Sequence, residues 1–255
     1  MVAKLSKRLT EAGFLMITGG GPGAMEATHL GAWMAGRTEA ELQEALAILS
    51  VAPFYTDKHW LPTAWEVHDR FPNLGHKSLG IPTWLYGHEP STPFATHIAK
   101  YFDNSIREDS ILTIAKGGII YSPGSAGTMQ EIFQEAVQNH YLSFGYASPM
   151  IFLGVDYWTD EMPIFRLLEH LVEKGKYKNL LLTLTDDEHR ANIRRGIRHT
   201  GKALLPILQH KGGDQHILGG KIVVYRKHRA GAVSLADEGL ILSLIHISEP
   251  TRRYA

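Results

Sequence analysis

Apolar positions change their period repeatedly along this chain, and that alternation predicts its elements. Val2, Leu5, Leu9 and Ala12 fall at helical spacing between lysines and arginines. The run Phe14–Thr18 then reads as a strand, and the glycine turn behind it opens a helix over Gly23–Ala35. Thr38 is placed to cap a second helix, Glu39–Leu49. Ala52–Pro72, rich in Pro, Trp and His, predicts irregular loop with a short helix. Ser78–Tyr86 reads as a strand, with Pro82 arguing for an edge position or an early end. Pro93–Ala115 carries helical spacing through Phe94, Ile98, Tyr101 and Phe102, then Ile106 and Ile111, with a break near Asn104. Gly118–Tyr121 is a short buried strand. Thr128–Tyr141 is a helix with Ile132, Phe133, Ala136 and Val137 on one face. Pro149–Val155 is a strand, Met162–Lys174 a helix and Leu180–Leu184 a last strand. The succession predicts an α/β fold, a doubly wound, mostly parallel sheet with helices on both faces.

Both ends depart from that plan. The chain opens in a helix that leads straight into Phe14–Thr18, whereas a doubly wound sheet usually sets a strand before such a helix. The expectation is a fragment lacking its first strand. At the far end, Leu242–Arg252 resembles the translation of a transposon-end adapter used in sequencing libraries, so residues 242–255 are set aside from fold reasoning as a tail. Residues 1–187 are expected to form the nucleotide-binding domain, and 188–241 a basic segment. Within the latter, His189–Leu235 holds ten Lys or Arg against one Asp, with five His. Without interleaved aromatics this reads as a solvated surface or a frame-shifted read, and not as a nucleic-acid tail.

Composition narrows the classes further. The 255 residues suffice for one α/β domain, and formal net charge is zero. Neither nucleic acid nor a membrane is an expected partner, because no global charge bias exists and no apolar run spans a bilayer. Cysteine is absent, which excludes disulfides, thiolate zinc sites and cysteine nucleophiles. The opening residues do not form a signal peptide, so a cytoplasmic, soluble protein is expected.

The chemistry concentrates in two glycine-rich turns about a hundred residues apart, Gly19–Glu26 and Ser122–Glu131. Each follows an apolar run and precedes a helical pattern. Such a turn presents backbone N–H groups and the positive end of a helix dipole, which favour phosphate. Two of them at strand ends suggest one nucleotide held between.

The second turn resembles the Pro-Gly-Gly-x-Gly-Thr-x-x-Glu signature of the LOG ("Lonely Guy") family, often labelled lysine decarboxylase-like. Pro123, Gly124, Gly127, Thr128 and Glu131 match in register, and Ser125 stands at the second glycine. Gly19–Ala27 is similar to that family's Gly-Gly-Gly-Pro-Gly-x-Met-Glu-Ala segment, and Ser78–Ile81 to its Ser-Ile-Gly-Leu strand. The resemblance covers roughly Met1 to Asp187. It implies a Rossmann-like fold, a homodimer, and hydrolysis of the N-glycosidic bond of a nucleoside 5′-monophosphate to free base and ribose 5-phosphate, with AMP or a cytokinin-like ribotide as substrate. It implies no decarboxylase chemistry, and no cofactor or metal is expected.

By that resemblance Arg107 and Glu131 are the catalytic candidates. Glu108 follows Arg107 where many members carry Lys. Gly19, Gly20, Gly21, Gly23 and Glu26 would line one wall of the pocket, and Gly124, Ser125, Gly127 and Thr128 would cradle the phosphate. A carboxylate beside the sugar stabilises the positive charge that builds on the ribose as the bond breaks. From spacing alone, Glu131 and Glu26 read equally well as first-turn acids favoured by a helix dipole, and Arg107 as a surface arginine paired with Glu108 or Asp109.

Gly19, Gly21 and Ala24 also satisfy the loose dinucleotide pattern, but Glu39 and Glu41, the acids at the required distance, fall on a predicted helix. His29, His88, His97 and His140 lack metal-ligand spacing and read as surface or hydrogen-bonded core residues. Trp33, Trp84 and Trp158 read as core or dimer-interface residues. A non-catalytic nucleotide or phosphorylated-cofactor carrier on the same fold is the alternative function.

Overall fold

In the computed structural model the described residues are 1–84, 91–186 and, for backbone alone, 241–245. They form a parallel sheet with helices on both faces. In chain order the elements are α1 (Val2–Glu11), β1 (Leu15–Thr18), α2 (Ala24–Trp33), α3 (Glu39–Ser50), α4 (Trp60–Arg70), β2 (Ser78–Gly80), β3 (His97–Ile98), α5 (Asn104–Ile114), β4 (Ile119–Tyr121), α6 (Ala126–Tyr141), β5 (Pro149–Leu153), a π-helical turn (Tyr157–Glu161), α7 (Ile164–Glu173), β6 (Leu181–Thr185) and β7 (Ile241–Ile245). The strand order is β3-β2-β1-β7-β4-β5-β6, with every pair parallel. Winding runs outward from β1 to β3, then restarts at β4 and runs outward the other way. The reversal between β1 and β4 is the topological switch point, where doubly wound folds open a crevice at the strands' carboxyl ends.

Alternation along the strands explains the two covered faces. Leu15, Ile17, Ile119, Tyr121, Met150 and Phe152 pack with Ile111, Leu112, Ile132 and Ala136 of α5 and α6. Met16, Ile120, Ile151 and Leu153 point the other way, against Leu5, Leu9 and Ala32 of α1 and α2. α3 and α4 extend this second layer, burying Leu42, Leu46, Leu49, Ala64 and Val67 with Leu30 and Met34. Thr38 caps α3 as expected, in a reciprocal box with Glu41.

Several sequence expectations need correction. Within Ser78–Tyr86 the continuous strand covers Ser78–Gly80, the early end expected from Pro82, which has no N–H, and an isolated bridge joins Thr83 to Tyr101 beyond it; β2 is flanked by β1 and β3, so it is not the edge. Residues 85–86 and His88 lie outside the described residues. Pro93–Ala115 breaks near Asn104 as expected, and α5 starts there because the Asp103 carboxylate accepts the Ser105 N–H at 3.0 Å, but the part before the break is not helical: it holds β3. The short helix within Ala52–Pro72 is the three-turn α4, which tolerates Pro62 in its first turn. Val137 is exposed, and the buried face of α6 carries Thr128, Glu131, Glu135 and Asn139 beside Ile132 and Ala136.

The basic segment up to residue 240, and residues 246–255, lie outside the described residues. Residues 241–245 do not stand apart from the fold as the sequence expectation had it for 242–255. They pair in parallel with both β1 and β4, filling the central position of the sheet. No helix among the described residues is long and apolar enough to cross a membrane.

Candidate functional site

Both glycine turns emerge at the carboxyl ends of strands that flank the switch point, the first after β1 and the second after β4. Arg107 joins them. It projects from α5, is 3% exposed, and lies against Gly19. Its Nε and Nη2 donate to Asn104 Oδ1 at 3.0 and 2.7 Å, and Nη2 pairs with Glu108 Oε1 at 3.0 Å. The Glu108 pairing anticipated for a surface arginine is therefore present, but in the interior.

Glu131 sits on the buried face of α6, one turn beyond the second glycine turn. Burial pushes its carboxyl well above the ordinary range; the Arg107 charge opposes this and the Glu108 charge adds to it. Glu131 Oε2, Glu108 Oε2, the Tyr121 hydroxyl and Ser122 Oγ are all buried without a hydrogen-bond partner among the described residues. These four unsatisfied atoms belong to α5, α6, β4 and the residue that follows β4, with Tyr121 packed in the core beneath them against Phe152.

The second turn is built to be presented. Ser125 precedes α6 with φ −103, so it needs no left-handed backbone, and a side chain replaces the signature glycine without strain. Ser125 is exposed, Gly127 half-buried, and Gly124 and Thr128 buried. The Tyr157 hydroxyl donates to Gly124 O at 2.6 Å, so the π-helical turn pins this loop from behind.

The first turn is organised differently from the expectation of a free phosphate cradle. The Gly20 N–H donates to Thr18 Oγ1 at 2.9 Å, the Gly21 N–H faces Met25 Sδ at 3.4 Å, and Gly20 O accepts from Thr92 Oγ1 at 2.6 Å. Those two amides are engaged inside the turn, which acts as a shaped wall. Gly20 needs its glycine, at φ 74. Behind the wall, wholly buried His29 contacts Thr18 Oγ1 through Nε2 at 2.7 Å and Ser78 Oγ through Nδ1 at 2.9 Å. Burial lowers its pKa to about 3, so the imidazole is neutral. Glu26 is buried in the first turn of α2.

On α6, one turn beyond Glu131, Glu135 accepts a hydrogen bond from Ser148 Oγ, and burial raises its carboxyl to about 7. Burial, with the charges of Glu135 and Glu131, also raises the phenol of Tyr121. Glu135 was legible in principle, since it repeats Glu131 at i+4 on a stripe otherwise apolar at Ile132 and Ala136. Tyr157, Thr92 and the His29 bridge carry no such signal, because their partners are distant in sequence.

The dinucleotide acids are committed elsewhere. Glu39 pairs with Lys4 at 2.8 Å, and Glu41 closes the α3 cap. No cluster of His, Asp or Glu among the described residues is arranged to hold a metal. Trp158 is core, Trp33 packs on core, and Trp84 is exposed. No protein-family model matches this chain, and no curated protein matches it.

Proposed function

We propose that the chain is a nucleoside 5′-monophosphate N-glycosidase of the LOG type, releasing a free base and ribose 5-phosphate. One observation carries the reading: buried Arg107 lies against Gly19 of the first turn, while its charge acts on Glu131 behind the second. A ribotide with its phosphate at the α6 N-terminus would set its ribose toward Glu131 and its base toward the first turn. The Arg107 guanidinium would then meet negative charge on the departing base. The motif resemblance supports the same assignment.

We further infer a homodimer working in the cytoplasm. The exposed pair Trp84 and Phe102, stacked at 6.0 Å with Lys100 over the Trp84 ring, supports an apolar contact face near the site. Sedimentation of the full chain tests it, and a monomer at micromolar concentration refutes it.

The activity is tested by incubating the full chain with AMP and separating the products. Adenine and ribose 5-phosphate should appear in equal amounts, and Glu131→Gln should abolish release while leaving AMP binding largely intact. A folded chain that frees no base from a panel of ribotides overturns the reading. Tight ribotide binding without turnover, unaffected by Glu131→Gln, identifies a carrier instead.

A further inference from the structure

The site contains two buried carboxyl groups beside one arginine, and their surroundings differ. Glu108 Oε1 contacts Arg107 Nη2 at 3.0 Å, with side chains only 1% and 4% exposed, and also accepts from Asn104 Nδ2 at 3.0 Å. Glu131 has no cation in salt-bridge contact among the described residues, and its Oε2 has no hydrogen-bond partner there. The helices bearing the two acids are cross-linked close by. Gln134 Nε2 of α6 donates to Asp109 Oδ1 of α5 at 2.7 Å. Asp109 follows Glu108, and Gln134 lies one turn past Glu131.

Two carboxylates near each other in a dry site do not both ionise. The one paired with a guanidinium keeps its charge, and the one held without a contacting cation keeps a proton. We propose that Glu108 and Glu131 form an acid–base pair, with Glu108 the carboxylate and Glu131 the proton-holding acid, and with Arg107 setting the division. The proposal rests on the N-glycosidase reading and reverses the role that an isolated, ionised Glu131 would play. Burial and the Glu108 charge both favour the proton on Glu131, against the pull of Arg107. Tyr121 of β4 also feels the charge of Glu131, together with that of Glu135 on the same helix α6.

In the reaction, a water oxygen bonds to C1′ as the C1′–N bond breaks. The water gives up one proton to the Glu108 carboxylate, and Glu131 passes its proton to the leaving nitrogen. One water is consumed and no net proton. Return of a proton from Glu108 to Glu131 restores the starting state.

The first test does not need turnover. The full chain is labelled with 13C at glutamate side-chain carboxyls, and its resonances are followed against pH by NMR. Two carboxyls should titrate above the ordinary range, one vanishing in Glu131→Gln and the other in Glu135→Gln. In Glu108→Gln the Glu131 midpoint should fall by about one pH unit or more, because a negative neighbour is gone and Arg107 is released toward it. A Glu131 midpoint that does not move overturns the pair, even in an active enzyme.

The second test uses AMP. Glu108→Gln should lower kcat/KM by about a hundredfold and move the alkaline limb of its pH profile, which belongs to Glu131, to lower pH. A Glu108→Gln enzyme within twofold of the parent, with its alkaline limb unmoved, refutes the assignment. A parent chain that hydrolyses no ribotide defeats the N-glycosidase reading itself, and the carboxyl titration still shows which acid holds the proton.

Discussion

Arg107 approaches the first glycine turn so closely that a β-carbon on Gly19 would fall 2.5 Å from its Nη1. A flexible arginine tip would simply step aside. This one is buried, and Asn104 and Glu108 hold the opposite side of the guanidinium. Gly19→Ala should therefore push Arg107 off its partners without unfolding the chain. The expected outcome is a rise in the KM for AMP of about tenfold or more, the scale of one lost charge-assisted contact, with Tm lowered as the buried Arg107–Glu108 pair is disturbed but the chain still folded. Kinetics with AMP beside a thermal melt checks it. An unchanged KM would mean that Arg107 does not line the substrate pocket.

Gly31 governs stability and is remote from the chemistry. A β-carbon there would meet Ala3 O at 2.3 Å, Ser6 Cβ at 2.7 Å and Lys7 N at 2.9 Å. Two of those three atoms are backbone and cannot rotate away, and Ser6 Oγ already ties the helices by donating to Thr28 O at 2.6 Å. Alanine normally stabilises a helix interior by up to about 1 kcal/mol over glycine. At Gly31 the overlap should reverse the sign, for a net loss of about 2–3 kcal/mol as α1 and α2 separate. Urea denaturation of Gly31→Ala measures it, and a stabilised variant would contradict the close crossing.

Glu135 gives the chain a distinctive pH dependence. Its carboxyl is raised from an ordinary 4.5 to about 7, chiefly by burial, with the Ser148 hydrogen bond opposing. The folded state thus holds a proton that the unfolded state releases. Stability from this group is complete below pH 4.5, declines as pH rises toward 7, and is level above that. The shift corresponds to about 3 kcal/mol between the two limits. Glu135→Gln cannot ionise and should gain on the parent by that order between pH 4.5 and 8. Comparing the two by denaturant titration at several pH values cancels groups of opposite sign, such as His29, whose lowered pKa adds stability as pH rises from about 3 to 6.5. A constant difference across pH would refute the assignment.

These effects show where sequence patterns inform and where they stop. The period changes located β1, α2, α3, β4, α6, β5, α7 and β6, because each element buries one stripe or one alternating set. They failed at Pro93–Ala115, where Phe94, Ile98 and Tyr101 keep helical spacing but serve loop and edge strand. Arg107 and Glu131 were legible through a local motif, but their electrostatics were not. Whether a glutamate is a solvated first-turn acid or a buried proton donor depends on what α5 brings beside it. The free amides expected of the first turn were lost to Thr18 and Met25, a matter of backbone geometry that glycine spacing leaves open.

The central place in the sheet yields the last prediction. Ile241–Ile245 hydrogen-bonds on one side to β1, in register Leu15 with Ile241, and on the other to β4, in register Ile119 with Ser243. Without it, β1 and β4 each lose their parallel neighbour at the switch point, and two inner strands become bare edges. Deleting residues 240–255 should lower Tm by several degrees and cause self-association, read by thermal melts and light scattering. A parallel strand at this depth asks mainly for apolar, β-prone residues, so an unrelated Val/Ile-rich pentapeptide at 241–245 should restore both properties. Replacing the five residues with alternating Lys and Glu should not. If the deletion is as stable and monodisperse as the full chain, the slot does not depend on this strand, and the pairing contributes nothing to the fold.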